Sequence, residues 1–185
     1  MLPANQIPNV LTIIRIILIV PFATFVLDYQ YMEALVIFFL AGLSDGVDGF
    51  LARQFNWKSR FGAIADPLAD KLLLITAYVM LAWTNQIPIW LVSLILGRDL
   101  IIVCGALVYH FFVSHYEIKP SWFGKACTMS QIIYVLVVIV KLAELPMPES
   151  VVMNGLWVVA GVTLFSGLHY IGVWTWRGWH VLKAK

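Results

Sequence analysis

Four aspartates, Asp45, Asp48, Asp66 and Asp70, lie close together in a chain that is otherwise strongly apolar. A carboxylate at membrane depth is costly, so acids in such a place mark a functional site by default. Carboxylates in proximity also repel one another unless cations hold them together. Hard divalent cations are the natural partners of ligands that offer only oxygen. The four acids therefore predict a site for ions such as magnesium.

The composition indicates an integral membrane protein. Of the 185 residues, 62% are hydrophobic and 12% are charged, whereas soluble domains carry about 25% charged residues. The mean hydropathy is +0.89. A transmembrane helix needs about 20 apolar residues, and in lipid only helices satisfy the backbone of such runs. Six stretches approach or exceed this length, at residues 8–27, 31–51, 66–84, 88–113, 122–143 and 151–173.

These stretches predict an all-α membrane protein. We expect one domain, residues 1–185, with six transmembrane helices in one compact bundle. Cytoplasmic loops carry an excess of lysine and arginine. Here the loop at residues 53–60, the connector before the fifth stretch and the C-terminal tail are basic, whereas two of the three connectors on the other side are acidic and the third is uncharged. Both termini and the aspartates are therefore expected at the cytoplasmic side. The first stretch contains Arg15 and lacks a small-residue cleavage site, which disfavours a cleaved signal peptide.

The spacing of the acids places them on two helix faces. Asp45 and Asp48 are three residues apart near the end of the second stretch, and Asp66 and Asp70 are four apart at the start of the third. Residues three or four apart share one face of a helix. The short connector between the stretches brings the two faces together on the cytoplasmic side. Two carboxylates from each helix end then suit one or two magnesium ions.

Small and basic residues accompany the acids. Gly46, Gly49 and Gly62, together with Ala52, leave space for a bulky ligand or a neighbouring backbone. Arg53, one turn after Gly49, can offer its planar guanidinium to phosphate oxygens. Acids for metal, small residues for space and arginine for phosphate predict a pyrophosphate site. In the alternative, the glycines only pack helices and the acids only form ion pairs with nearby bases. The cost of burying ion pairs disfavours this alternative for the acids.

The acidic segment follows the pattern D-x2-D-G-x2-A-R-x8-G-x3-D-x3-D and thereby resembles the CDP-alcohol phosphotransferase family, whose members are also called CDP-alcohol phosphatidyltransferases. The specified positions are Asp45, Asp48, Gly49, Ala52, Arg53, Gly62, Asp66 and Asp70. A chance match to such a pattern is on the order of 10⁻⁹ per start position. The family's opening motif P-N-x-L-T-x-x-R is similar to Pro8, Asn9, Thr12 and Arg15. Elements of its phosphatidylglycerophosphate synthase and cardiolipin synthase branch resemble Arg98-Asp99 and Gly124-Lys125.

The resemblance implies a transferase of phospholipid biosynthesis that moves a phosphatidyl group from CDP-diacylglycerol to an alcohol and releases CMP. It implies a multi-pass homodimer in the lipid bilayer of a bacterial inner membrane, with its active site on the cytoplasmic side. It also implies two Mg²⁺ or Mn²⁺ ions bound by Asp45, Asp48 and Asp66, with Asp70 as the catalytic general base that also touches a metal. The net charge of +2 gives no indication of a nucleic-acid partner. The residues implied to bind CDP-diacylglycerol are Asn9, Thr12, Gly49, Arg53 and Ser59.

The acceptor is predicted from two basic residues, Arg98 within the fourth stretch and Lys125 at the start of the fifth. Phosphatidylglycerophosphate synthases are expected to have a further arginine about two turns after the first, where this chain has Ala106 and apolar neighbours. The missing base favours a phosphodiester acceptor, phosphatidylglycerol, and thus a cardiolipin synthase. The alternative acceptor is glycerol 3-phosphate, with His110 partly replacing the arginine. Inositol and serine are less favoured.

Two other classes of function stay open from the residues alone. A cation transporter or channel would also place acids within the membrane. It would not explain Gly49, Ala52 and Arg53, and a pore would distribute its acids over several spans. A non-catalytic lipid-binding scaffold would not need a base beside a metal site. Release of CMP from CDP-diacylglycerol only when the right alcohol is added would distinguish the enzyme from both.

Overall fold

The computed structural model describes residues 7–55, 60–112 and 122–183. Within these ranges the chain forms six α-helices and no strand, which confirms the all-α prediction for this part of the chain. Side chains are described for residues 10–47, 54–55, 62, 65–105 and 122–172. The helices are α1 (Ile7–Leu27), α2 (Tyr31–Gln54), α3 (Arg60–Trp83), α4 (Ile89–Phe112), α5 (Trp122–Leu142) and α6 (Glu149–Lys183).

Two helices extend well beyond the apolar stretches that predicted them. α3 begins at Arg60 rather than at residue 66, so Asp66 and Asp70 lie within the helix and not at its start. α6 continues to Lys183, past the predicted end at residue 173. Hydropathy marks the part of a helix that suits lipid, whereas backbone hydrogen bonding continues beyond that part, through Arg60 and Gly62 in α3 and through Arg177 and Gly178 in α6.

In the part of the chain that the structure describes, three helices are long and apolar enough to cross a membrane, over Val10–Leu27, Trp122–Leu142 and Glu149–Gly172. These helices carry exposed large apolar side chains such as Ile17 and Leu164. Extended exposed apolar surface suits lipid rather than water. The observations indicate an integral membrane protein, as predicted. The number of six spans and the cytoplasmic position of the termini stay predictions.

The helices α1, α3 and α5 are each followed, two residues after their last helical residue, by a residue with positive φ. These residues are Tyr29 (φ 60°), Asn85 (φ 58°) and Glu144 (φ 59°). In each case the amide of the next residue donates to a carbonyl of the last turn, as Gln30 N does to Phe25 O at 2.8 Å. This Schellman motif satisfies carbonyls that the helix end would otherwise leave without a donor.

The packing divides the chain into two compact units. The first unit holds α1, α2, α3 and residues 135–142 of α5, and α1 packs against both α2 and α3. Phe22 packs on Phe38 with ring centroids 5.7 Å apart, while Ala41 and Ala69 are fully buried. Small residues let helices approach closely, so that α1 comes within hydrogen-bonding distance of acids on its two neighbours.

The second unit holds α4, residues 122–134 of α5, and α6, with α4 packed on α6. Polar side chains connect α5 to α6 in its core. Gln131 donates from Nε2 to the Thr163 hydroxyl at 3.3 Å, and Cys127 Sγ lies 3.6 Å from the same oxygen. All three side chains are fully buried. Polar contacts of this kind help to hold helices together in apolar surroundings.

Gly155 of α6 lies against the buried ring of Tyr134 on α5, where no larger residue fits. A Cβ at Gly155 would lie 2.9 Å from Tyr134 Cδ2 and 3.3 Å from Cε2. Gly155→Ala is therefore expected to lower the free energy of unfolding by about 1–3 kcal/mol through overpacking. Gly161→Ala in the same helix is the matched control, because nothing lies within 4 Å of its Cβ position. Thermal unfolding in detergent checks the pair, and equal midpoints for the two variants would contradict the prediction.

Candidate active site

Two polar side chains of α1, Thr12 and Arg15, are fully buried. They lie three residues apart and therefore share one face of the helix. The Thr12 hydroxyl donates a hydrogen bond to Oδ1 of Asp66 on α3. Buried polar groups are stable only when they are paired, and here the pairing holds an acid of α3 against α1.

Arg15 connects acids of two different helices. Its Nη1 donates to Oδ1 of Asp70 at 2.6 Å and lies 3.0 Å from Oδ1 of Asp45. Asp45 belongs to α2 and Asp70 to α3. The two carboxylates, which are 25 positions apart by their numbers, thus converge on one nitrogen atom of a third helix.

The carboxylates are accessible although the arginine is not. The side chains of Asp45 and Asp70 are each 45% exposed, and that of Arg15 is 0% exposed. Gly46, next to Asp45, has nothing within 4 Å of the position of a Cβ. Because the two carboxylates are partly exposed, a ligand can approach them.

The structure brings some of the predicted site residues together and leaves others outside the described side chains. Ser59 lies outside the described residues altogether. Those joined through the contacts above are Thr12, Asp45, Asp66 and Asp70. Those whose backbone lies in α1 or α2 but whose side chains are outside the described set are Asn9, Asp48, Gly49 and Arg53.

Sequence reasoning assigned Arg15 no contact within the site. The residue stood out only as part of the P-N-x-L-T-x-x-R motif and as a charge within the first apolar stretch. A signal was nevertheless present, because a charged residue inside a transmembrane helix requires a partner of opposite charge. Its spacing from Thr12 also places two polar groups on one face of an apolar helix.

The donor set fits a hard divalent cation in its chemistry. Asp45, Asp66 and Asp70 offer carboxylate oxygens, the ligands that Mg²⁺ prefers, and two of them already meet at a cationic group. Among the described side chains, no group of three or more histidine, cysteine, aspartate or glutamate residues could hold a metal ion. Asp48, the fourth predicted ligand, is not among those side chains. The metal site therefore stays a proposal.

The second unit contains Arg98, one of the two residues predicted to bind the acceptor. Arg98 is buried, and its Nε and Nη2 donate to Ser166 Oγ at 3.2 and 2.8 Å. Its Nη1 donates to Oδ1 of Asp99 at 2.9 Å, and its guanidinium carbon lies 5.8 Å from the centre of the Tyr170 ring. A Cβ at Gly167 would lie 3.6 Å from Arg98 Cγ. The guanidinium is thus held in one orientation, chiefly by α6.

Arg98 and Lys125 line the same cavity, which has a volume of about 410 Å³. Thr128 and Tyr170 are also part of its wall. Lys125 Nζ lies 5.7 Å from the centre of the Trp122 ring. Two cations at one cavity suit an anionic group such as a phosphate. Arg98 belongs to α4 and Lys125 to α5, so the cavity joins residues from separate helices of the second unit.

The chain is similar along most of its length to proteins of known activity. The profile of the family described as CDP-alcohol phosphatidyltransferase matches residues 5–173. A cardiolipin synthase (CMP-forming) / mitochondrial hydrolase fusion protein of Schizosaccharomyces pombe is 33% identical over 180 residues, which cover 88% of this chain and 30% of the relative. The cardiolipin synthase (CMP-forming) of Rattus norvegicus is 31% identical over 189 residues, with 89% and 61% covered.

A bacterial relative matches over its whole length. The CDP-diacylglycerol–glycerol-3-phosphate 3-phosphatidyltransferase of Bacillus subtilis is 29% identical over 200 residues, which cover 97% of this chain and 98% of the relative. The chain thus spans less than two thirds of the two cardiolipin synthases but nearly all of this bacterial protein.

Proposed function

The chain belongs to the CDP-alcohol phosphatidyltransferase family, and we propose that it transfers the phosphatidyl group of CDP-diacylglycerol to phosphatidylglycerol, forming cardiolipin and CMP. The alternative acceptor is glycerol 3-phosphate, which would give phosphatidylglycerophosphate. Relatives of both kinds match the chain, so the acceptor must be argued from the residues. The observation that carries the reaction itself is the convergence of Asp45 and Asp70, from two helices, on one buried cation.

The reaction joins the hydroxyl oxygen of the acceptor to the phosphorus of the phosphatidyl group. The bond between that phosphorus and the bridging oxygen of the pyrophosphate breaks, and this oxygen leaves as part of CMP. Asp70, which is partly exposed, takes the hydroxyl proton as the oxygen attacks. The residues that bind CDP-diacylglycerol in this proposal are Asn9, Thr12, Gly49, Arg53 and Ser59.

Asp45, Asp48 and Asp66 would hold two Mg²⁺ or Mn²⁺ ions in this proposal, with Asp70 touching one of them. When bound, such ions neutralise the pyrophosphate and stabilise the negative charge that develops on the departing CMP. The hydrogen bond from Thr12 supports the assignment of Asp66, because orientation of a ligating carboxylate by a neighbouring donor strengthens metal binding.

The charges at the cavity of the second unit favour phosphatidylglycerol as the acceptor. Among the described residues that line it, Arg98 and Lys125 are the charged ones, and Asp99 forms an ion pair with Arg98. Two cations against one carboxylate leave a single net positive charge at this cavity. A phosphodiester carries one negative charge, whereas a phosphate monoester carries roughly 1.5–2 at neutral pH. The cavity thus matches the diester better.

A competition assay tests the acceptor. Purified protein in nanodiscs receives CDP-diacylglycerol, Mg²⁺ and equal amounts of phosphatidylglycerol and glycerol 3-phosphate, and the lipid products are identified by mass spectrometry. We expect cardiolipin as the main product. Formation of phosphatidylglycerophosphate without cardiolipin would overturn the choice of acceptor and leave the reaction class intact. Absence of CMP release with every alcohol supplied would overturn the reaction itself.

Arg98→Ala is expected to raise the KM for phosphatidylglycerol by roughly 10–100-fold, since one charge-assisted bond to a phosphate is worth about 1.5–3 kcal/mol. The affinity for CDP-diacylglycerol should change little. Lys141→Ala is the matched control, because Lys141 is an exposed base in the last turn of α5 that is not part of the cavity wall. Steady-state kinetics with each substrate varied in turn separate the two effects. A comparable loss of donor affinity would contradict the assignment of Arg98 to the acceptor.

The proposal extends to the assembly of the protein. It comprises one domain, residues 1–185, with six transmembrane helices in one bundle, forming a homodimer in a bacterial inner membrane. Both termini and the active site face the cytoplasm. The basic loops and the three apolar helices support this arrangement, and the names of the relatives favour an enzyme over a transporter or channel. Labelling of cysteines introduced at the termini, from either side of sealed vesicles, tests the orientation.

A further inference from the structure

Arg15 has no role in the reaction proposed above, yet it contacts two of the acids on which that reaction depends. It is fully buried in α1, and its Nη1 lies 2.6 Å from Oδ1 of Asp70 and 3.0 Å from Oδ1 of Asp45. A charge in such a place is costly and is retained only where acids compensate it. The site is therefore built around a fixed positive charge that belongs to the protein itself.

We propose that Arg15 is a resident counter-ion of the metal site, which holds Asp45 and Asp70 together in the absence of metal and lowers the affinity of the site for divalent ions. This inference rests on the proposed function. The Oδ1 atoms that Arg15 contacts belong to Asp45 and Asp70, two of the acids that would hold the ions. An ion that bound them would compete with the guanidinium for their lone pairs. An ion that bound the other oxygen of each carboxylate would lie close to a like charge, which also weakens binding.

The position of Arg15 on the buried side of the acids lets it stabilise the site when no metal ion or ligand is bound. Asp45 and Asp70 are partly exposed, whereas Arg15 lies on their buried side. A ligand or metal ion can therefore leave the exposed side while the arginine remains in place. Without it, the two carboxylates would repel one another whenever the ions and CMP had left. Arg15 thus keeps the empty site folded and keeps the bound ions exchangeable.

Binding of Mn²⁺ to the purified protein without substrate tests the proposal, with free Mn²⁺ measured by electron paramagnetic resonance. Arg15→Gln removes the charge but keeps hydrogen-bonding groups, and it is expected to bind Mn²⁺ about tenfold more tightly because the repulsion is removed. In EDTA the same variant is expected to unfold at a lower temperature than the wild type. Arg15→Lys keeps the charge and should bind Mn²⁺ like the wild type. Thr12→Val, which removes a neutral donor from the same helix face, should not tighten binding.

The outcomes separate this inference from the proposed function. If the wild type binds no Mn²⁺, the metal site itself is wrong. If the wild type binds Mn²⁺ and Arg15→Gln binds it equally or more weakly, only the counter-ion role is overturned, and Arg15 orients the acids instead. If Arg15→Gln cannot be purified in EDTA, it is purified with Mn²⁺, which replaces the missing charge. The proposal is then supported if Arg15→Gln loses Mn²⁺ to a chelator more slowly than the wild type does. It is overturned if the variant loses Mn²⁺ equally fast or faster, or if no folded variant is obtained in either condition.

Discussion

Asp45→Asn and Asp66→Asn are each expected to lower the rate of CMP release by more than about 100-fold, because each removes a charge from the shell that must hold a divalent ion. The amide keeps the size of the side chain and one oxygen. Thr12 can therefore still donate to residue 66, and the fold should be retained. Asp48→Asn is expected to have the same effect. The measurement is CMP release from CDP-diacylglycerol in the presence of phosphatidylglycerol.

Asp28→Asn is the matched control for these variants, since Asp28 is an exposed aspartate in the connector between α1 and α2. We expect a rate close to that of the wild type. Treatment with EDTA should stop the reaction, and addition of Mg²⁺ should restore it. Full activity in EDTA, or an almost unchanged rate for Asp66→Asn, would remove the metal hypothesis.

Asp70→Asn is expected to lower kcat by roughly 100-fold or more and to leave the affinity for CDP-diacylglycerol nearly unchanged. The reason is that the proposed base acts on the acceptor hydroxyl in the transition state and not on the bound donor. The amide oxygen of asparagine can take the place of the Oδ1 that accepts from Arg15 at 2.6 Å. The geometry around the arginine should therefore survive. The two quantities are measured separately, kcat by CMP release and the Kd by binding of labelled CDP-diacylglycerol.

Comparison with Asp66→Asn distinguishes the loss of a base from the loss of a metal ligand. A lost metal ligand should impair donor binding and rate together, because the ions contact the pyrophosphate, whereas a lost base should impair the rate alone. If Asp70→Asn lost affinity in proportion to rate, Asp70 would be a metal ligand first, and the base would have to lie elsewhere.

Most helix boundaries could be predicted from the sequence within a few residues. α2 begins at Tyr31 and α5 at Trp122, the first residues of the apolar stretches that predicted them. The signal is local, since apolar side chains in a continuous run favour lipid and the backbone then forms its own hydrogen bonds. The earlier start of α3 at Arg60 could not be read in this way, because its first turn mixes Arg60 and Gly62 with apolar residues, and such a segment can be helical or not.

The candidate site was predictable in part. The spacing of Asp66 and Asp70 within α3 places them on one helix face whatever the rest of the chain does. Their contacts with α1 are of another kind, since Arg15 is 55 positions from Asp70 in the chain. The shared face of Thr12 and Arg15 indicates which side of α1 is buried, but the spacing does not indicate which acids that face meets.

The apolar helical character of the chain, the placement of its acids on helix faces and its family all follow from the amino-acid sequence alone. Each of these depends on residue types and spacings within single segments. Which polar side chains contact one another depends on the packing of the helices: Arg15 with Asp45 and Asp70, and Arg98 with Ser166, 68 positions away. Lipid and the interior of a helix bundle are similarly apolar. The residue composition of a helix therefore does not distinguish its packed face from its lipid-exposed face. The packing of the helices makes that distinction and thereby brings the charged groups together.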